Sequence, residues 1–268
     1  MAARAGCVMD GSPGKRMQRR TFLGRLLAGA ATLAAPSIEA AGKDVWREAR
    51  PSLPRGGRVL FQGDSITDGG RWRDSDDPNH VFGQSYPYLL AARCGGRFPQ
   101  QQWRFVNRGI SGDTVKALMA RWDRDTLALK PDVLSVLVGA NDTLSQFDKG
   151  IPLPTSVAEY ASVYDAILRR TRGALPRVKL VLCEPFALPG TRNSGRWQAW
   201  RKDMAERQAI VRRLALAHRA VFVPLQAMFD DACKRAPADY WIWDGVHPTS
   251  AGHQLIADQW LRMTGRSA

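Results

Sequence analysis

The sequence predicts an α/β fold in which a parallel β-sheet carries helices on both faces. Three observations predict it. Short runs rich in apolar, β-branched and aromatic residues alternate with longer stretches of helical period. The stretches between successive runs have the length of crossover helices, which makes the strands parallel. Three unusual segments begin at or just after the ends of such runs, at Gln62, Asn107 and Val138. In an open α/β sheet that carboxyl edge is where ligands bind.

The elements follow a Pro/Gly-rich entry at Pro51, Pro54, Gly56 and Gly57. Strands are expected at 58–62, 103–107, 133–138, 179–183 and 220–223, each short and bounded by turn residues. Helices are expected at 85–94, 114–129, 156–172 and 197–218, with a final one at 250–263. Asp113 or Thr114 is placed to cap the second helix, and Thr155 or Ser156 the third. No second composition regime, internal repeat or long linker interrupts 42–268, which is expected to be one domain.

Residues 1–41 read differently. Arg19-Arg20-Thr21-Phe22-Leu23 leads into a weakly apolar run from Leu26 to Ala35. That run is shorter than the ~20 apolar residues a membrane-spanning helix needs. It reads as a cleavable leader of twin-arginine type, with Met17 as an alternative start and small residues at Ala40 and Ala41. A frayed amphipathic helix is the competing reading. The expectation is an exported protein, periplasmic or secreted, with no stable membrane insertion.

The chain carries 39 Lys/Arg against 25 Asp/Glu. Residues 1–41 hold six of the former and two of the latter, so 33 and 23 remain and the balance stays positive. Such a balance suits polyanionic partners. Here the cations are scattered along expected helices without a nucleic-acid motif, so they read as solvated faces and no nucleic-acid partner is expected. Beyond the leader, Cys94, Cys183 and Cys233 are odd in number and lack metal-ligand spacing. Cys183 lies in an apolar strand and reads as a buried thiol.

Four segments carry chemistry: Gly63-Asp64-Ser65-Ile66-Thr67, Asn107-Arg108-Gly109-Ile110-Ser111-Gly112, Gly139-Ala140-Asn141-Asp142 and Asp244-Gly245-Val246-His247-Pro248. Acyl transfer needs a nucleophile, a base, a group that orients the base, and donors for the oxyanion. Ser65, His247 and Asp244 fit the first three roles, and the Ser65 N–H, the Gly112 N–H and the Asn141 amide fit the last. Each residue also has a bland reading: an N-cap for Ser65, a turn residue for Asn141, a capping aspartate for Asp244. The bland readings do not explain the four together. Metal binding by Asp244, His247 and His253 is a rival without fixed ligand spacing. Gly-x-Ser-x-Gly is absent around Ser65, which argues against an α/β-hydrolase fold. Asp64 and Asp142 read as loop braces. Tyr240, Trp241 and Trp243 fit a sugar-stacking wall, a contact between copies in a homo-oligomer, or core packing.

These segments resemble those of the SGNH/GDSL hydrolase family. The resemblance runs from about Val59 to Leu261. Phe61 to Arg71, Ala120-Arg121-Trp122-Asp123 continuing to Lys130-Pro131-Asp132, and Trp243 to His253 are similar to the acetylxylan-esterase-like carbohydrate esterases. The resemblance implies a flavodoxin-like three-layer α/β/α sandwich with a five-stranded parallel sheet. It implies catalytic Ser65, Asp244 and His247, an oxyanion hole of Ser65, Gly112 and Asn141, and no cofactor or metal. The expected activity is removal of short acyl groups, acetyl above all, from a small-molecule or oligosaccharide ester. A lysophospholipase or thioesterase of the same superfamily and a non-catalytic carbohydrate-binding protein are the rivals.

Overall fold

Five strands with a β-branched or aromatic residue in each place their side chains alternately on two faces, and both faces are covered. A computed structural model describes residues 53–265 apart from 75, 76, 79, 149 and 151–153. The leader expected at 1–41 and the alternative start at Met17 lie outside the described residues.

The strands are β1 (Arg58–Gly63), β2 (Arg104–Asn107), β3 (Val133–Leu137), β4 (Lys179–Cys183) and β5 (Val221–Val223). All pairings are parallel and the order is β2-β1-β3-β4-β5. This is the flavodoxin-like order, in which the chain reverses its direction of winding between β1 and β3. The helices are α1 (Ser65–Asp68), α2 (Tyr86–Arg97), α3 (Val115–Asp125), α4 (Ala140–Leu144), α5 (Val157–Ala174), α6 (Trp197–Ala217), α7 (Gln226–Ala232), α8 (Ala238–Trp241) and α9 (Ser250–Thr264).

The period of two separates the cores. Val59 and Phe61 of β1 pack with Tyr86 and Leu90 of α2, Phe229 of α7 and Trp260 of α9. Leu60 turns the other way and packs with Trp122 of α3, Tyr164 of α5 and Val211 of α6. β3 is buried along its whole length, as a parallel strand covered on both faces must be. Ser135 within it accepts a hydrogen bond from Trp260 Nε1 at 3.0 Å, which satisfies both buried polar groups.

Every expected strand and long helix is present, with ends displaced by a few residues. The largest difference is α3, which stops at Asp125 instead of 129. Gln62 Nε2 donates to the Asp125 carbonyl and to Thr126 Oγ1, and a 3₁₀ turn at Leu127–Leu129 then leads to Pro131. Thr114 caps α3 and Ser156 caps α5, the latter in a reciprocal pair with Glu159. The reading of the cations as solvated faces needs correction. Arg207 on α6 is fully buried, bonded to Asp203 and to the Thr155 carbonyl. Arg121 on α3 is nearly so, bridging Asp113 and Asp125. Cys94 and Cys183 are buried free thiols, and burial pushes Cys183 up to about 12.

Candidate active site

Ser65 stands two residues after the end of β1 and occupies the first position of α1. The helix cap is its neighbour: Asp64 Oδ1 accepts the Ile66 N–H at 3.0 Å. Ser65 is therefore not the capping residue and its hydroxyl is free to point elsewhere. Gly63 is required here, because a Cβ would sit 2.3 Å from both the Leu137 carbonyl and Thr67 Oγ1.

That hydroxyl meets the far end of the chain. Ser65 Oγ lies 2.9 Å from His247 Nε2, and His247 Nδ1 lies 2.7 Å from Asp244 Oδ2. An ionised carboxylate can only accept, so Nδ1 carries the ring proton and Nε2 presents a lone pair to the serine. Asp244 is held ionised. Burial opposes this, but the side chain and backbone of His247, the Val246 N–H and Arg192 outweigh it and keep the carboxyl well below the usual range. The 244–247 turn is tied off by Trp243 N–H donating to the His247 carbonyl at 3.1 Å.

The remaining two segments converge on the same edge. Gly112 has φ +89°, left-handed backbone that favours glycine. It follows Ser111, whose N–H and hydroxyl both donate to Asp68 Oδ2, at 2.9 and 3.0 Å. Asp68 is the last residue of α1, so the nucleophile's helix also grips the Gly112 loop. On the other side, Asn141 at the start of α4 donates one amide hydrogen to the Asp113 carbonyl at 3.1 Å. Asp142 accepts the Val115 N–H. The loops after β2 and β3 are thus stitched to each other, and an amide hydrogen of Asn141 remains beyond that bond. Ser65 and Asn141 follow β1 and β3, the two strands that flank the winding reversal.

The sequence pattern of the GDSL-like lipase/acylhydrolase family matches residues 61–255, a span that includes all four segments. The chain belongs to this family. It is a carboxylic ester hydrolase. Among its relatives is an acetylxylan esterase of Geobacillus stearothermophilus, 35% identical over 213 residues that cover 78% of this chain and 94% of that one. The crystal structure of that organism's acetylxylan esterase Axe2 superposes with a TM-score of 0.71 at 31% identity, covering 80% of this chain and 97% of the other. An α/β hydrolase enzyme from the metagenome of Lake Arreo, LAE5, is similar at 33% identity and TM-score 0.71, with coverage of 80% and 97%.

Within this GDSL hydrolase the structure gathers the residues expected from sequence and adds two groups. Arg192, in the 188–196 loop, donates from Nε to Asp244 Oδ2 at 2.8 Å and from its N–H to the Asp244 carbonyl at 3.0 Å. Gly190 lies against the same peptide, where a Cβ would come within 2.3 Å of Asp244 C. The second group is Asp68 with Arg71 and Arg73. Arg73 donates to Asp68 Oδ2 at 2.8 Å, and Arg71 Nε to the Gly109 carbonyl at 3.0 Å. Neither group could be paired with its partner from sequence, since Arg192 reaches Asp244 across 52 residues and Asp68 and Arg71 reach Ser111 and Gly109 across 43 and 38. Asp64 and Asp142 do brace loops as expected, and burial raises both carboxyls, to about 7 and about 6. Of the aromatic trio, Trp241 joins the core, while Tyr240 and Trp243 are exposed. Trp243 lies parallel to the His247 ring at 6.1 Å between centroids.

Proposed function

We propose that this hydrolase removes short acyl groups, acetyl above all, from a carbohydrate through an acyl-enzyme on Ser65. The observation that carries the reading is the unbroken relay Ser65 Oγ–His247–Asp244, with separations of 2.9 and 2.7 Å. His247 Nε2 takes the Ser65 proton as Oγ attacks the ester carbonyl, and Asp244 stabilises the imidazolium that forms. The Ser65 and Gly112 N–H groups and the Asn141 amide receive the oxyanion, each such donor being worth roughly a hundred- to a thousandfold in rate. The imidazolium then protonates the departing sugar oxygen, the ester C–O bond breaks, and acetyl remains on Ser65. Water attacks this ester with the same base, releasing acetate and restoring the serine. No cofactor or metal takes part in these steps.

Two observations support a sugar as the alcohol half. Trp243 presents an open aromatic ring beside His247, a surface suited to the C–H face of a pyranose. Axe2, similar over most of this chain, is an acetylxylan esterase, with structures of catalytic mutants at a serine and at an aspartate. Arg19-Arg20 and the weakly apolar run after it support export by the twin-arginine route. Folded precursor should stay in the cytoplasm when both arginines become lysine.

A series of p-nitrophenyl esters from acetate to palmitate, with acetate release from acetylated oligosaccharides, tests the reading. Short-chain preference with acetate release is expected. Preference for long chains would make the enzyme a lipase or thioesterase instead.

A further inference from the structure

A cavity of about 670 Å³ opens where α2 and α9 meet the loop after α1. Its position follows from the two ends of the site. Gly69 caps the four-residue helix that begins at Ser65, roughly 6 Å along at 1.5 Å per residue. Ser250 and His253 on its other side belong to α9, which starts three residues after His247. The cavity therefore opens between the elements that follow Ser65 and His247.

Its chemistry is distinctive. Trp72 stacks on His80 with 4.3 Å between centroids, yet is 57% exposed, so one indole face stays open. Tyr88 at the first turn of α2 is 44% exposed and lines the same space. The wall is held in place. Trp72 N–H donates to the His80 carbonyl at 3.0 Å and Gln84 N–H to the Gly69 carbonyl at 2.8 Å. Gly83 allows the close approach, since a Cβ there would meet the Asp68 carbonyl at 2.2 Å. His253 lines the cavity and is only 8% exposed. Burial lowers His253 to about 4, so the ring is neutral at working pH. Among the described residues no Lys, Arg, Asp or Glu lines the space, in a chain of net charge +14.

We infer that this cavity is a subsite for a further pyranose unit of a neutral oligosaccharide, stacked on Trp72. The inference rests on the carbohydrate reading of the active site. Open aromatic faces suit the apolar side of a pyranose, while Gln84, Ser250 and His253 offer partners to its hydroxyl rim. An acidic sugar would find no counter-charge here.

The test uses Trp72→Ala, with Trp72→Phe as the conservative variant, in two assays. On acetylated xylotetraose, Trp72→Ala should raise KM about tenfold with kcat within twofold, the pattern of a contact made equally before and during the reaction. Trp72→Phe should recover most of the loss. In the second assay, xylotetraose is titrated into Ser65→Ala protein with and without Trp72→Ala, and affinity should fall about tenfold. Unchanged KM and unchanged affinity would overturn the subsite. A wild-type enzyme that binds xylotetraose through Trp72 but does not deacetylate its ester would leave the subsite standing and remove the proposed substrate.

Discussion

Arg192 and His247 meet on one atom, Oδ2 of Asp244, at 2.8 and 2.7 Å. The other oxygen is taken by two backbone N–H groups, from Val246 and His247, at 2.9 and 2.7 Å. Two cations would share this carboxylate whenever the imidazole is protonated. The charged and titratable groups around His247 are Asp244 on its own turn, Arg192 from the 188–196 loop, Asp64 at the head of α1 and His253 on α9. Only Arg192 both carries a permanent positive charge and contacts the carboxylate that steadies the ring.

Removing Arg192 should therefore lower kcat. Its Nε donates to Asp244 Oδ2 and its N–H to the Asp244 carbonyl, and Arg192→Ala keeps only the second, so the carboxylate that orients His247 is held less firmly. Arg192 is 46% exposed, so the loss should be limited to about fivefold, and salt should shrink it. Arg192→Lys should stay near wild type. Wild-type kcat in Arg192→Ala would show that the backbone donors alone hold Asp244.

Ser65→Ala should abolish turnover, by roughly a millionfold as for a triad serine elsewhere, with thermal unfolding almost unchanged. The Ser65 hydroxyl contacts His247 at the rim and no core side chain depends on it. Asp244→Asn should lower kcat by orders of magnitude, because an amide can hold the wrong tautomer and cannot stabilise imidazolium. Either variant at a tenth of wild-type activity or more would refute the acyl-enzyme route.

Much of this site could be read from sequence because each of its parts lies in one short run of consecutive residues. Ser65, Gly112, Asn141, Asp244 and His247 each sit in a short segment whose composition is unusual, and strand periodicity puts three of those segments on one edge. Helices α1, α4, α7 and α8 were not legible, since four to seven residues are too few for a 3.6-residue period to show. The buried ion pairs were illegible for a different reason. Arg207 looks like any cation on a long helix until the 155 carbonyl and the Tyr160 ring close over it. Arg192 reaches Asp244 across 52 residues, and nothing in Gly190-Thr191-Arg192-Asn193 records the partner.

Asp64 gives a pH dependence of stability opposite to the common one. Burial raises its carboxyl from 3.8 to about 7, and Oδ2 has no partner among the described residues. A folded-state value above the unfolded one means the native protein binds the proton more tightly. The contribution is thus fully present below about pH 4 and is lost as pH rises through about 7. Asp142, raised to about 6, acts in the same sense. Asp64→Asn keeps an oxygen for the Ile66 N–H and removes the ionisation. Relative to wild type its melting temperature should rise between pH 4 and 8, and a difference that stays flat over that range would show that Asp64 does not titrate in it.

Asp68 should matter for rate more than for binding. Its Oδ2 accepts the Ser111 N–H, the Ser111 hydroxyl and Arg73, so one carboxylate at the end of α1 fixes the residue before Gly112. The nucleophile and its proposed oxyanion donor are thereby held to the same short helix. Asp68→Asn keeps one oxygen for Ser111 but loses the charge that holds Arg73. Asp68→Ala frees the loop and leaves the Ser111 N–H without its partner. An oxyanion donor does its work in the transition state, where a displacement of ~1 Å costs about a hundredfold. We expect kcat on p-nitrophenyl acetate to fall in the order wild type, Asn, Ala, with the last about a hundredfold down and KM within threefold. A rise in KM at constant kcat would instead place Asp68 in ground-state binding, and the Gly112 loop would then not depend on α1 for its position.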